Sequence, residues 1–180
     1  MTHAIFSPSS ADRWFKCPAS AYLNYQAEYT VGLPAATGTL IHSMTEMLLK
    51  DRLNDMSLRD YWLGRKEIVE DFEIKIDEDM VECAEVYVNY IIKRQKELNA
   101  KRVIEEKVYL GEISDKCHGT ADCILLADNR ICVIDLKSGK WNVEAMKNKQ
   151  LMIYGLGALT RYGASNPDIT VELTIVQPRV

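Results

Sequence analysis

Two short runs constrain this chain more than anything else in it. Residues 121–126 and 131–137 are rich in β-branched and other apolar side chains, and only Ala127-Asp128-Asn129-Arg130 separates them. That pattern reads as an antiparallel hairpin. With Asp128-Asn129 as a two-residue turn, a common hairpin connection, paired positions sum to 257. Leu126 then faces Ile131, Ile124 faces Val133, and Asp122 falls opposite Asp135. Lys137 lies opposite Thr120, on the face of both aspartates, because side chains alternate along a strand. The opposite face carries Cys123, Leu125, Cys132, Ile134 and Leu136. Strands apolar on both faces imply a sheet covered by helices.

The rest of the chain supplies those helices. Ser7-Pro8 is a helix-start signal, and Cys17-Pro18 breaks the run, so the opening predicts two short helices. A longer helix is expected over residues 37–53, an irregular charged stretch with one short helix over 54–77, and a helix over 80–98. Past residue 100 the period changes to two, predicting strands over 102–110, 121–126 and 131–137. A helix over 143–161 and a last strand over 170–177 complete the order. The expected fold is therefore one α/β domain with a helical N-terminal region over about residues 1–100. Its mixed central β-sheet is flanked by helices, and its last strand returns beside the others by way of a helix.

Composition narrows the function classes. No apolar run approaches the roughly 20 residues of a membrane span, and MTHAIFSPSS lacks a secretory pattern. Five cysteines in 180 residues read as buried free thiols of a reducing cytoplasm. A net charge of −4 argues against nucleic acid until the chain is divided. Residues 1–90 hold 8 Lys+Arg against 15 Asp+Glu, and residues 91–180 hold 14 against 11. The half that carries the hairpin is net positive and is the candidate for an anionic partner.

Directly opposed strand residues place their Cβ atoms about 4.5–5.5 Å apart, where like charges repel. Asp122 and Asp135 therefore call for a proton, a cation or a ligand between them. A hard dication with oxygen ligands, Mg²⁺ or Mn²⁺, suits them. The alternative is a strand-end ion pair of Asp135 with Lys137 and a solvated Asp122.

Gly119-Thr120-Ala121-Asp122, Asp135-Leu136-Lys137, and Gln150 with Tyr154 one helical turn apart resemble the PD-(D/E)XK nuclease superfamily, in its RecB-like branch. That branch includes CRISPR adaptation nucleases. Gly38-Thr39-Leu40-Ile41-His42 and the opening Ser7-Pro8-Ser9 with Cys17-Pro18 are similar to two further motifs of the branch. The wording IDLKSGK and NKQLMIYGLGAL is closest to an uncharacterised phage and prophage family within it. The resemblance implies a restriction-endonuclease-like core and a metal-dependent deoxyribonuclease of exonuclease type in phage DNA recombination or processing. Asp122, Asp135, the backbone carbonyl of Leu136 and His42 would hold Mg²⁺ or Mn²⁺, and Lys137 would be the catalytic lysine. Gln150, Tyr154 and Lys140 would bind substrate. Glu105 and Glu106 compete for the acidic position of the first strand: the spacing to Val108 favours Glu105, whereas the apolar company of Ile104, Val108 and Leu110 puts Glu106 on a buried face.

Basic residues Lys140, Lys147, Lys149 and Arg161 are candidates to guide a DNA strand, and Trp141 to stack on an unpaired base, against a packed tryptophan and a solvated helix face. One departure is plain. Cys17 stands where the branch places an iron–sulfur ligand, but no cysteine cluster follows near Val180, so this chain alone is not expected to hold that cluster. A natural minimal form and a piece of a longer protein with a cysteine-bearing C-terminal segment both remain open. Other readings are a non-catalytic nucleic-acid-binding module and an interaction lobe, in a homo-oligomer or a phage recombination or defence assembly.

Overall fold

The computed structural model describes residues 4–27, 30–51, 57–110, 114–163 and 165–180. The architecture is mixed α/β, with helices flanking a four-stranded mixed sheet. The chain forms two compact units, interleaved in sequence.

The first unit comprises Met1–Tyr29, Asn99–Asp135 and Glu144–Thr174. A 3-10 turn at Pro8–Ser10 leads into α1 (Ala11–Lys16), and α2 (Ala19–Gln26) follows the Cys17-Pro18 break, as the opening motif predicts. Trp14 donates its indole hydrogen to the Ser7 carbonyl at 2.8 Å, which ties α1 back on the turn. Phe6 and Trp14 then pack on a small core of Ala11, Leu110, Cys117 and Ile153.

The sheet is ordered β3 (Lys101–Tyr109), β4 (His118–Ala127), β5 (Arg130–Leu136) and β6 (Thr170–Val176). Strands β3, β4 and β5 pair antiparallel. β6 runs parallel to β5, bracketed by Thr170 N–H to the Asn129 carbonyl and Lys137 N–H to the Val176 carbonyl, each 2.9 Å. α6 (Lys149–Tyr162) makes the crossover. Residues 143–148, expected to be helical, are not. Asn148 caps the helix by accepting from the Leu151 N–H at 3.1 Å, and a cap residue must itself lie outside helical geometry.

The second unit comprises Thr30–Leu98, Leu136–Val143 and Ile175–Val180. α3 (Leu33–Leu49) starts a turn earlier than expected, at Gly32-Leu33-Pro34, because proline suits the first helical turn. Of its expected end, residues 52 and 53 lie outside the described residues. α5 (Glu78–Leu98) buries Met80, Val81, Ala84, Tyr87, Val88 and Ile91, a stripe at helical spacing, and Asp77 caps it by accepting from the Met80 N–H at 3.0 Å.

Between these helices lie α4 (Leu58–Trp62) and a hairpin, β1 (Lys66–Val69) with β2 (Phe72–Lys75). The irregular stretch expected there is thus corrected. The strands are only four residues long, and charges dominate their sequence, so no apolar run marks them.

Candidate functional site

The β4–β5 register is the one the turn predicts. Ala127 pairs with Arg130, Leu126 with Ile131, Ile124 with Val133, and Cys123 with Ile134, each summing to 257. Carried one residue beyond the last of these pairs, the same register sets Asp122 against Asp135. Asp135 is only 2% exposed, and among the described residues it is the one buried carboxylate. Burying a charge is expensive unless another charge, a hydrogen bond or a metal compensates it.

Strand β3 brings in a third carboxylate. Its register with β4 has the same offset at Ile104–Cys123 and at Glu106–Ala121, and that offset sets Glu105 across from Asp122. Ligand oxygens of Glu105 and Asp122 lie within 4.8 Å of each other. Glu105 has φ +54°, a left-handed conformation that a non-glycine residue rarely adopts within a strand. Such strain costs on the order of 1–3 kcal/mol and persists only where the surroundings over-determine it. Glu106 is engaged elsewhere. It accepts from the Tyr162 hydroxyl at 3.0 Å and pairs with Arg161 at 2.8 Å, both on α6.

α6 also delivers the pair expected one turn apart. Gln150 Nε2 donates to the Tyr154 hydroxyl oxygen at 3.3 Å. Tyr154 is 5% exposed, and burial pushes its phenol well above the ordinary value. The Gln150 hydrogen bond opposes that rise, and the negative charges of Asp135, Asp122 and Glu105 add to it. The phenol therefore sits in the field of all three carboxylates.

Gly119 explains how the motifs converge. A Cβ there would lie 2.8 Å from Pro8 Cγ and 3.0 Å from Tyr154 Cε1. Only glycine lets the Gly119-Thr120-Ala121-Asp122 strand, the Ser7-Pro8-Ser9 turn and the Gln150/Tyr154 helix approach this closely. Lys149 and Arg161, both candidates to guide DNA, are held within the chain. Lys149 pairs with Asp12 at 2.7 Å beside the Phe15 ring, and Arg161 is bound to Glu106.

In the second unit, Gly38 on α3 lets the helix approach Ser138, whose Oγ would lie 3.3 Å from a Cβ at that glycine. His42, one turn further along α3, is half-buried. Leu136 is buried, Lys137 half-buried, and Lys140 exposed. Trp141 is 87% exposed and not packed.

Gln177 and Arg179 make side-chain contacts that the sequence reading missed. Arg179 Nη1 donates to the Ser138 carbonyl at 2.5 Å, and its Nη2 pairs with Asp79 on α5 at 2.6 Å. Their only sequence signal is a polar cluster at the end of an apolar strand.

The carboxylate set fits a hard divalent ion. Oxygen donors from Asp122, Glu105 and Asp135 are the type Mg²⁺ and Mn²⁺ prefer, and a dication offsets their mutual repulsion. The cysteines offer nothing comparable among the described residues. Cys17 is exposed, while Cys83, Cys117, Cys123 and Cys132 are buried. Burial drives the Cys123 thiol far above its ordinary value, which makes it inert. No described helix is long and apolar enough to cross a membrane. A family model described as "Protein of unknown function (DUF2800)" matches residues 3–180, and the chain belongs to that family.

Proposed function

We propose that the protein is a Mg²⁺- or Mn²⁺-dependent deoxyribonuclease that hydrolyses phosphodiester bonds. The observation that carries this reading is that Glu105 and Asp122 bring ligand oxygens within 4.8 Å of each other on β3 and β4, in the sheet whose β5 strand buries Asp135. A structural hairpin gains nothing from opposed carboxylates, whereas metal-dependent phosphodiester hydrolysis uses such groups to hold its ion.

In this reading Asp122, Asp135 and Glu105 would hold the ion. When bound, the ion neutralises charge on the scissile phosphate and acidifies the attacking water. The Lys137 ammonium orients that water or holds a phosphate oxygen. Gln150 and Tyr154 position the substrate, and Lys140 attracts its backbone. The expected setting is the cytoplasm of a bacterium or phage-infected cell, in recombination or processing of phage DNA, with exonuclease-type action.

Labelled single- and double-stranded DNA, linear and circular, tests the reading with and without Mn²⁺. Wild-type protein should cleave only with metal, and Asp122→Ala, Asp135→Ala and Lys137→Ala should each abolish cleavage. Full activity in all three variants overturns the assignment. DNA retained without metal and never cut makes the chain a binding module.

A further inference from the structure

Residues 138–143 follow Lys137 directly and lack regular secondary structure, yet their backbone is pinned at both ends. At one end Arg179 donates to the Ser138 carbonyl at 2.5 Å while anchored to Asp79 at 2.6 Å. At the other, Gln177 acts like a neighbouring strand. Its Oε1 accepts from the Val143 N–H at 2.7 Å, and its Nε2 donates to the Val143 carbonyl at 2.9 Å. The same Nε2 reaches Asn142 Oδ1 at 3.4 Å. Just before this brace, the Lys137 N–H is held by the Val176 carbonyl.

What the braced loop presents is an indole. Trp141 is 87% exposed, beside exposed Gly139 and Lys140. A large aromatic left in water on a mobile loop would fold onto the nearest apolar surface, and here the brace keeps it outward. Segments 136–143 and 175–180 contain Lys137, Lys140 and Arg179 and no Asp or Glu. An open cleft of about 330 Å³ adjoins the loop, with Lys140 and Arg179 in its wall together with Glu82 and with Asp79, which Arg179 pairs. A rigid aromatic face flanked by cations matches a chain of unpaired bases joined by phosphates. Stacking of this kind contributes roughly 1–3 kcal/mol per base and tolerates any sequence.

We infer that the loop is a stacking platform for single-stranded DNA, with Trp141 as its contact and Gln177 and Arg179 as positioning residues. The inference rests on the proposed DNA-processing reading and names its preferred substrate form. A preorganised loop binds without having to be ordered first, which is what the brace contributes.

The test measures affinity of the full chain for a fluorescein-labelled oligothymidylate and for a duplex of equal length, in EDTA. Trp141→Ala should weaken single-strand binding by about tenfold and Trp141→Phe by less, with duplex binding unchanged. Gln177→Leu should weaken it as well, although Trp141 is present. In a Trp141→Ala background Gln177→Leu should add nothing, a coupling that general destabilisation would not produce. Arg179→Lys should retain more affinity than Arg179→Leu.

Unchanged single-strand affinity in Trp141→Ala overturns the platform, as does a wild-type protein with no affinity for the oligonucleotide. An equal loss on duplex also overturns it. Cleavage in Mn²⁺ is read separately. Binding that depends on Trp141 without any cleavage removes the nuclease reading and leaves the platform. Cleavage with Trp141-independent binding does the reverse.

Discussion

The hairpins β1–β2 and β4–β5 share a plan, two antiparallel strands around a two-residue turn, and they treat charge in opposite ways. In β1–β2 the charges face water. Lys66 pairs with Glu73 at 2.7 Å with both side chains 60% exposed, and Ile74 supplies the buried contact. In β4–β5 the second strand is buried almost throughout and the first is half-buried or buried, yet the register of their pairs, carried one residue past Cys123–Ile134, sets Asp122 against Asp135. Charge on a solvated strand is nearly neutral in energy, whereas carboxylates set against each other in a covered sheet oppose folding. The second arrangement makes sense where something other than stability is served. The strained backbone of Glu105 on the adjoining strand points the same way.

The largest expected effect separates the two hairpins directly. Asp135→Asn keeps the shape of the side chain and removes its charge. It should lower metal-dependent cleavage by roughly 10²–10³-fold or more, the scale of losing a transition-state-stabilising group. Glu73→Gln on β2 should leave cleavage unchanged. Stability should move the other way. In EDTA, Asp135→Asn should melt at or above the wild-type temperature, because repulsion with Asp122 is relieved. Mn²⁺ at about a hundred times its Kd should stabilise the wild type by about 2.7 kcal/mol and the variant by much less. A variant less stable in EDTA and still responsive to Mn²⁺ would show that Asp135 is a structural residue, and the contrast would collapse.

A smaller effect sharpens the same contrast through Tyr154. Burial and the three carboxylates hold its folded pKa above the ordinary value near 10. The folded state therefore keeps its proton after the unfolded chain has begun to release it. The associated stability is complete below about pH 10 and declines as pH climbs toward the folded value. Denaturant melts across about pH 9–11 should show a steeper alkaline decline for wild type than for Tyr154→Phe. Tyr162 is also shifted upward, so the informative quantity is the difference between the two proteins. Identical slopes would mean that neither burial nor the carboxylates raise the Tyr154 phenol in the folded chain.

How much of this was legible in the sequence follows from the range of the interactions. The β4–β5 register was readable because a two-residue turn fixes it locally, and Asp122 against Asp135 came with it. The choice of Glu105 over Glu106 was not decidable by alternation. It depends on a positive φ and on Arg161 and Tyr162, more than fifty residues away, engaging Glu106. The start of α6 was misplaced because residues 143–148 include good helix formers, while the Asn148 cap and the grip of Gln177 on Val143 keep them extended. The β1–β2 hairpin was hidden because a solvated four-residue strand leaves almost no apolar alternation. The Arg179 bond to Ser138 closes forty-one residues of chain, a pairing no local pattern encodes.

The smallest effect is expected where charge is most conspicuous. Lys66→Ala removes an ion pair of good length, 2.7 Å, from a hairpin with few other cross-strand charges to spare. Both side chains are largely in water, so the attraction is screened and its gain is offset by the entropy of holding two long side chains. The change should cost no more than about 0.5 kcal/mol, and raising the salt should shrink even that. Lys75 faces Lys66 across the ladder, and removing one of two like charges recovers part of the loss. Thermal melts of wild type and Lys66→Ala at low and high salt measure it. A loss above about 1 kcal/mol would mean that β1–β2 depends on its charges for folding. Opposed carboxylates on β4–β5 would then no longer single out chemistry, because hairpin charges in this chain would serve stability too.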